Sequence, residues 1–504
     1  MTPAMQARIN AAVLEFAHDF VTASQNRRLH AQSSDFVQDS LRDMVRALER
    51  CNASGVDMPL KLQLSEHAIH FEGEELTGPS LQAGHLLRQC RERDIAQISF
   101  RPGLSAAEVN RCFDLLLLDN NRDALRRSRR DITLCAFGIK NVAFTLGTPA
   151  DPGDRRAEMP ADDEALQQYQ NLAECLQQNH MLAYRDLELA IDEAAGLVEE
   201  TLHVLDEPSS LLALATQDDV DRFTVGHSVR VALLALQVAR QLGLGREQLV
   251  GIGTAALMHD IGKSKVPQEI LWKNGKLDQE EWRLMAQHPR LGAELLLEQH
   301  ASIDPCTIGA AFCHHMSPGG GYPQAALPIR LSGVSHLIRV CDVFEALTSV
   351  RPYKKALIPV EAYAVMFRHE SDFHPDWLRA FVRSIGLFPT GTRLVLDDGS
   401  EGAVIAQSGD PSRPIVRLLV GPGDTPLAAD QPNRIVIGTM VEGEVRRVAA
   451  VSTHERCVII PEFDEGDAVL TTPHACLSPE LIEDANRTAR ESAKSRETMA
   501  RPGR

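Results

Sequence analysis

Nowhere in the 504-residue chain is there a run of about 18 uncharged apolar residues, so no membrane-spanning helix or membrane insertion is expected. A signal peptide is missing too: Met1 to Val21 carries Arg8, Glu15 and Asp19 within its apolar pattern and reads as an amphipathic helix. None of the ten cysteines forms a CxxC pair, which removes a zinc ribbon and a thioredoxin-type motif. Scattered cysteines without a signal fit a reducing cytosol, so the expected location is cytoplasmic. Basic charge is in deficit, with 52 Lys and Arg against 69 Asp and Glu and a net charge of −17. A long nucleic acid is therefore a poor partner, because its phosphates repel such a surface. There is no clear internal repeat. The hydrophobic share of 44% argues against global disorder, and the length suggests about three domains.

Texture along the chain supplies candidate boundaries. Residues 1 to about 50 are helical in period, with Ile9, Val13, Phe16 and Phe20 on one face. Leu60, Leu62 and Leu64 alternate with polar residues, as do Ile69 and Phe71 beyond Ser65-Glu66-His67, which is a hairpin pattern. Ile95 to Phe100 reads as a strand. Ser105 with Glu108 forms a capping box that opens a helix to about Leu118, and Ile132 to Leu146 is β-rich. Residues 1–147 thus read as an α+β regulatory or oligomerisation domain, without a phosphate-acceptor pocket, haem motif or glycine-rich nucleotide loop. Residues 148–163 read as a linker and 164–388 as a helical domain. Residues 389–470 read as a small, barrel-like β domain whose first turn is Asp397-Asp398-Gly399, and 471–504 as a polar tail. The expected fold is multidomain: an all-α domain flanked by an N-terminal α+β domain and a small C-terminal β domain. Within it, Glu164 to Leu205 reads either as paired helices joining input to catalysis across a homodimer, or as helices completing the catalytic bundle.

The helical middle holds His227, His259-Asp260, His288, His314-His315 and Asp342, in groups roughly 25–32 residues apart. That is about one helix plus a turn, so successive helices can deliver donors to a shared centre. Imidazole and carboxylate suit borderline and hard divalent cations, iron and manganese among them. No cysteine falls in this rhythm, against a thiolate zinc site. Adjacent His259 and Asp260 can donate from one turn, and the Asp260 carboxylate can bridge two ions. Two ions about 3.5–4 Å apart would hold a hydroxide and clamp a phosphoryl group.

His259-Asp260-Ile261-Gly262-Lys263 matches the HDxGK signature of HD phosphohydrolases, and Gly321-Tyr322-Pro323 follows the double histidine as in the HD-GYP subfamily. The segments around His227, Lys263 to Leu271, Met285 to Gly292 and Val340 to Tyr353 are similar to that family as well, and the resemblance spans roughly residues 200–390. It implies a helical domain with two divalent metal ions, iron or manganese, that hydrolyses cyclic di-GMP to pGpG or GMP by attack of metal-held hydroxide. Carried over, the ligands are His227, His259, Asp260, His288, His314, His315 and Asp342. Lys263 and Asp260 are catalytic, while Arg351, Lys354 and Tyr322 contact the nucleotide; Arg can grip phosphate or guanine bidentately. The family also links the GYP segment to GGDEF-type cyclase domains as partners.

Three departures qualify the resemblance. Phe223 stands where some members place a glutamate for a third metal, so two ions are the expected maximum. The loop His314-His315-Met316-Ser317-Pro318-Gly319-Gly320-Gly321 lacks the glutamate and the aspartate of the family pattern, and it is one residue shorter. Its glycines either cradle phosphate through backbone N–H groups or form a simple turn. The alternative to an enzyme is a catalytically weak HD-GYP-like scaffold that binds nucleotide or a signalling protein.

Overall fold

The computed structural model describes residues 3–29, 32, 34–117, 132–133, 139–146, 163–205, 210–216, 224–271, 273, 275–298, 303–317, 320–325, 329–349, 356–422, 425, 433–438, 440–441, 444–452 and 457–459. The chain separates into two compact units: Met1–Leu197 with Asp219–Asp221, and Val198–Asp218 with Arg222–Arg504. No helix among the described residues is long and apolar enough to cross a membrane.

The first unit is built on two long helices, Pro3–Leu29 and Asp35–Ser54, and a six-stranded antiparallel sheet. Its strands are β1 (Leu60–Leu64), β2 (Ile69–Phe71), β3 (Glu74–Glu75), β4 (Ile95–Phe100), β5 (Ile132–Thr133) and β6 (Val142–Leu146), in the order β3-β2-β1-β4-β6-β5. In β1 the leucines face inward and the polar residues outward, as strict alternation demands. Phe16, Phe20, Phe100 and Phe113 meet at ring distances of 4.9–5.6 Å and close the core between helices and sheet. The Ser105–Glu108 box opens the helix Ala106–Leu117, with reciprocal bonds from Ser105 N–H to Glu108 Oε2 (3.1 Å) and from Glu108 N–H to Ser105 Oγ (3.3 Å).

The helix Asp163–Tyr184 belongs to this unit, although the sequence reading opens the helical domain at residue 164. Its polar side chains explain the attachment. Gln170 Nε2 donates to the carbonyls of His67 and Ser80, and Glu174 pairs with Arg88 at 2.5 Å. The expected linker, 148–163, lies outside the described residues except for Asp163, where this helix begins.

In the second unit, the helices Thr224–Gln241 and Arg246–Met258 pack together at Gly253, where a Cβ would come within 2.5 Å of Val198 and 2.9 Å of Leu236. A 3₁₀ turn, Ile261–Lys265, leads to helices Gln279–Met285, His288–Leu297, Pro305–Cys313, Gly333–Thr348, Pro359–Arg368 and Pro375–Ile385. Between them lies a two-residue hairpin of β7 (Met316–Ser317) and β8 (Gly320–Gly321).

The C-terminal sheet contains β9 (Arg393–Leu396), β10 (Glu401–Ala406), β11 (Ile415–Val420), β12 (Arg434–Val436), β15 (Val448–Ser452) and β16 (Cys457–Ile459), with a separate hairpin of β13 (Met440–Val441) and β14 (Glu444–Val445). The order β12-β11-β10-β9-β15-β16 is open: β12 and β16 are edges and do not pair among the described residues, so the expected barrel does not close there. The Asp397-Asp398-Gly399 turn is present, with Gly399 at φ +81° and the Ser400 N–H donating to Asp398 Oδ1. The expected tail, 471–504, lies outside the described residues.

Candidate metal centre

Helix ends deliver most of the donors. His227 sits in the first turn of Thr224–Gln241, His259 caps the end of Arg246–Met258, and Asp260 begins the 3₁₀ turn. His288 opens its helix, His314 ends Pro305–Cys313, and Asp342 lies mid-helix in Gly333–Thr348. These residues form two groups, each with one donor atom per residue and all donor atoms within 4.8 Å: Asp260, His288, His314 and His315, and His227, His259 and Asp342. All seven expected ligands are therefore together.

Asp260 lies between the groups. Its Oδ1 is 3.2 Å from His288 Nε2 and 3.6 Å from His314 Nε2, whereas its Oδ2 is 3.4 Å from His259 Nε2 and 3.7 Å from His227 Nε2. Each oxygen faces a different pair of imidazoles, which is the disposition a bridging carboxylate needs.

Hydrogen bonds fix which ring nitrogen is available. The Nδ1–H groups of His259, His288 and His314 donate to the carbonyls of Ala256 (2.7 Å), Met285 (2.7 Å) and Ala311 (2.9 Å). A carbonyl only accepts, so each neutral ring carries its proton on Nδ1 and its lone pair on Nε2. Those lone pairs point inward. His288 Nε2 and His314 Nε2 are 3.2 Å apart with no proton to share, and buried His259 Nε2 has no hydrogen-bond partner. Such an arrangement is costly unless a cation lies among the donors, so the residues present fit a bound divalent ion.

The electrostatics agree with this. Burial pushes the His259 imidazole down to about 3, lowers His288 and takes His315 well below the usual range, keeping these rings neutral at pH 7. Burial alone would raise Asp260, but the Lys263 ammonium and the surrounding histidines outweigh it and hold the carboxylate ionised. Asp342 is likewise held well below its ordinary value, chiefly by His227 and His315 against the effect of burial. His227 goes the other way: despite burial, Glu345 and Asp342 push it up to about 9, so a cation at its Nε2 competes with a proton.

Lys263 Nζ is paired with Asp260 Oδ2 at the rim. Gly262, between them in sequence, permits backbone contact with the His288 helix. Tyr322 stacks on His315 with a centroid separation of 4.6 Å and is met edge-on by Trp282 at 5.7 Å. Gly321 has φ +104°, and a Cβ there would come within 2.2 Å of the His315 carbonyl oxygen, so the hairpin beneath Tyr322 requires glycine at this position. Arg351, Lys354 and Phe223 lie outside the described residues.

Three functional neighbours are absent from the sequence expectations: Glu345, Arg230 and Trp282. Glu345 bonds His227 Nδ1 and Arg230 in a buried triad. The available signal was spacing, since Arg230 follows His227 by three residues and Glu345 follows Asp342 by three, which puts each pair on one helix face. Trp282 had no such signal.

Residues 215–376 match the HD domain family model. A cyclic di-GMP phosphodiesterase of Pseudomonas aeruginosa is 38% identical over 232 residues, covering 45% of this chain and 56% of that protein. A cyclic di-GMP phosphodiesterase response regulator of Xanthomonas campestris is 32% identical over 305 residues, covering 56% of this chain and 77% of that one. A 3′3′-cGAMP-specific phosphodiesterase of Vibrio cholerae is 33% identical over 171 residues, 33% of this chain and 36% of that protein. The chain thus spans only about half the length of the Pseudomonas relative and about a third of the Vibrio one. Given the HDxGK turn, the GYP hairpin and the match to the regulator over three quarters of its length, the chain belongs to the HD-GYP family of HD-domain phosphohydrolases.

Proposed function

We propose that the chain is a metal-dependent phosphodiesterase acting on cyclic di-GMP and yielding pGpG or GMP. One observation carries this reading: two donor groups share Asp260, with each carboxylate oxygen turned to a different histidine pair. Asp260, His288, His314 and His315 would hold one ion, and His227, His259 and Asp342 the other, with iron or manganese favoured by the N/O donor set. When bound, such a pair offsets phosphoryl charge and acidifies a water.

The chain's own residues complete the chemistry. Asp260, ionised and buried, orients the two halves of the site. Lys263, at the rim, turns its ammonium from Asp260 toward a non-bridging phosphodiester oxygen as negative charge develops there. Tyr322 and Trp282 form an aromatic wall that keeps His315 in place. Arg351 and Lys354 grip the nucleotide. Residues 1–147 act as a regulatory or oligomerisation domain in a cytoplasmic homodimer, with GGDEF-type cyclase domains as a partner at Gly321-Tyr322-Pro323.

The test is to purify the protein without oxygen, measure bound iron and manganese, and follow cyclic di-GMP turnover beside Asp260→Ala. About two ions per chain with turnover lost in the variant supports the reading. Full occupancy without turnover in the parent protein would instead favour the second reading, a nucleotide-binding or protein-interaction scaffold. The observation favouring that alternative is the segment after His315, which has Met316 where the family pattern has its glutamate, lacks the pattern's aspartate and is one residue shorter.

A further inference from the structure

His227 differs from its partners in what holds it. The Nδ1–H groups of His259, His288 and His314 are anchored by backbone carbonyls, which no side-chain substitution can remove. His227 Nδ1 is anchored by a side chain, the Glu345 carboxylate, through Oε2. The other oxygen, Oε1, accepts from Arg230 Nε at 2.7 Å, from Arg230 Nη2, and from Ser349 Oγ at 2.6 Å. The side chains of Glu345 and Arg230 are 2% and 4% exposed. Arg230 Nη2 also reaches Ser349 Oγ at 3.3 Å, which closes a ring of bonds around the carboxylate.

From this difference we infer that Glu345 is a positioning residue for one of the two ion sites only. Resting on the metal-centre reading above, the inference assigns Glu345, clamped by Arg230 and Ser349, the task of holding His227 in the tautomer and rotamer that aim Nε2 at Asp342 Oδ1, 3.1 Å away. A carboxylate behind an imidazole also makes its free nitrogen a stronger donor than a carbonyl does. In the His227–His259–Asp342 site one histidine therefore depends on a side-chain buttress, whereas His288 and His314 of the other site are anchored by backbone carbonyls. The two ions should be separable by substitution far from the second site's donors. Arg230 is the buried charge partner of the Glu345 carboxylate, so the buttress is the ion pair and not Glu345 alone.

Metal content and spectroscopy, read without reference to turnover, decide this. The protein, Glu345→Gln and the double variant Arg230→Met/Glu345→Met are each titrated with Mn²⁺; ions per chain are counted after desalting, and electron paramagnetic resonance spectra are recorded. The double variant removes both charges together, which avoids leaving one buried and unpaired. The parent protein should bind about two ions with a spin-coupled spectrum. Each variant should keep one site at parental affinity and weaken the other by about 10–100-fold, with the spectrum turning to that of isolated ions. Unchanged stoichiometry and affinity in either folded variant overturns the inference and leaves the metal centre standing. Loss of both ions, or unfolding of both variants, makes the pair a scaffold element and also overturns it. Absence of metal from the parent protein would instead sink the centre itself.

Discussion

Gly262 lies against the backbone of His288: a Cβ added at position 262 would come within 2.0 Å of the His288 carbonyl oxygen and 2.3 Å of the Gly292 amide nitrogen. The obstacles are main-chain atoms, which cannot swing aside as a side-chain tip can. The glycine of the HDxGK motif is thus a packing requirement that brings Asp260 and Lys263 to the start of the His288 helix. Gly262→Ala should cost about 2–3 kcal/mol and, by moving His288 away from Asp260, lower metal content as well. Thermal melting with metal analysis checks both; an alanine variant with parental melting temperature and metal content would refute the packing argument.

Removal of metal should destabilise the second unit. Buried His288 Nε2 and His314 Nε2 face one another at 3.2 Å, and His259 Nε2 has no hydrogen-bond partner, so the ion-free site stores repulsion that an ion relieves. An ion at about 100 times its dissociation constant adds about 2.7 kcal/mol. Melting curves with excess Mn²⁺ and with chelator should differ by several degrees, the chelated sample melting first. Coincident curves would mean that nothing binds there in the folded state.

Tyr322 is placed by stacking on His315, and its substitutions should separate stacking from hydroxyl chemistry. Tyr322→Phe keeps the ring, so it should retain metal content and most turnover. Tyr322→Ala frees His315 and leaves Trp282 without its edge contact; turnover should fall about tenfold or more, in line with about 1.4 kcal/mol of lost positioning. A phenylalanine variant as damaged as the alanine one would shift the role to the hydroxyl.

Much of this arrangement was readable in the chain because it depends on local period and identity. The Leu60–Leu64 alternation, the Ser105–Glu108 box and the Asp397–Gly399 turn are short-range facts, and each appears where the pattern sets it. The histidines and aspartates were readable because few other residue types serve as cation donors. What supports them was harder to see. Glu345 and Arg230 look like ordinary helix charges, and only the packing of two helices more than a hundred residues apart turns them into a buried pair. Similarly, the helical texture of Asp163–Tyr184 does not say which body it joins; that depends on Gln170 and Glu174 finding partners on residues 67–88. Open and closed sheets also share one strand rhythm, so the β domain's lack of closure among the described residues had no local signature.

Glu108 links capping to pH. Its carboxylate, 7% exposed, accepts from the backbone N–H groups of Ser105, Lys140 and Asn141 as well as from the Ser105 hydroxyl. Burial alone would raise its pKa, but the bonds from Lys140, Ser105 and Asn141 overcome that and hold it down at about 2, against an ordinary 4.5. Because the folded value is the lower one, the unfolded chain binds the proton first as pH falls. The stabilisation is complete above about pH 4.5 and drains away between there and about pH 2. Glu108→Gln keeps the shape but loses the charge, so it should cost about 2 kcal/mol near pH 7 and much less near pH 3. Urea unfolding of the full chain at both pH values, followed by far-ultraviolet circular dichroism, measures the two gaps. A gap that is the same at both pH values would show that shape, and not the carboxylate charge, is what the cap contributes.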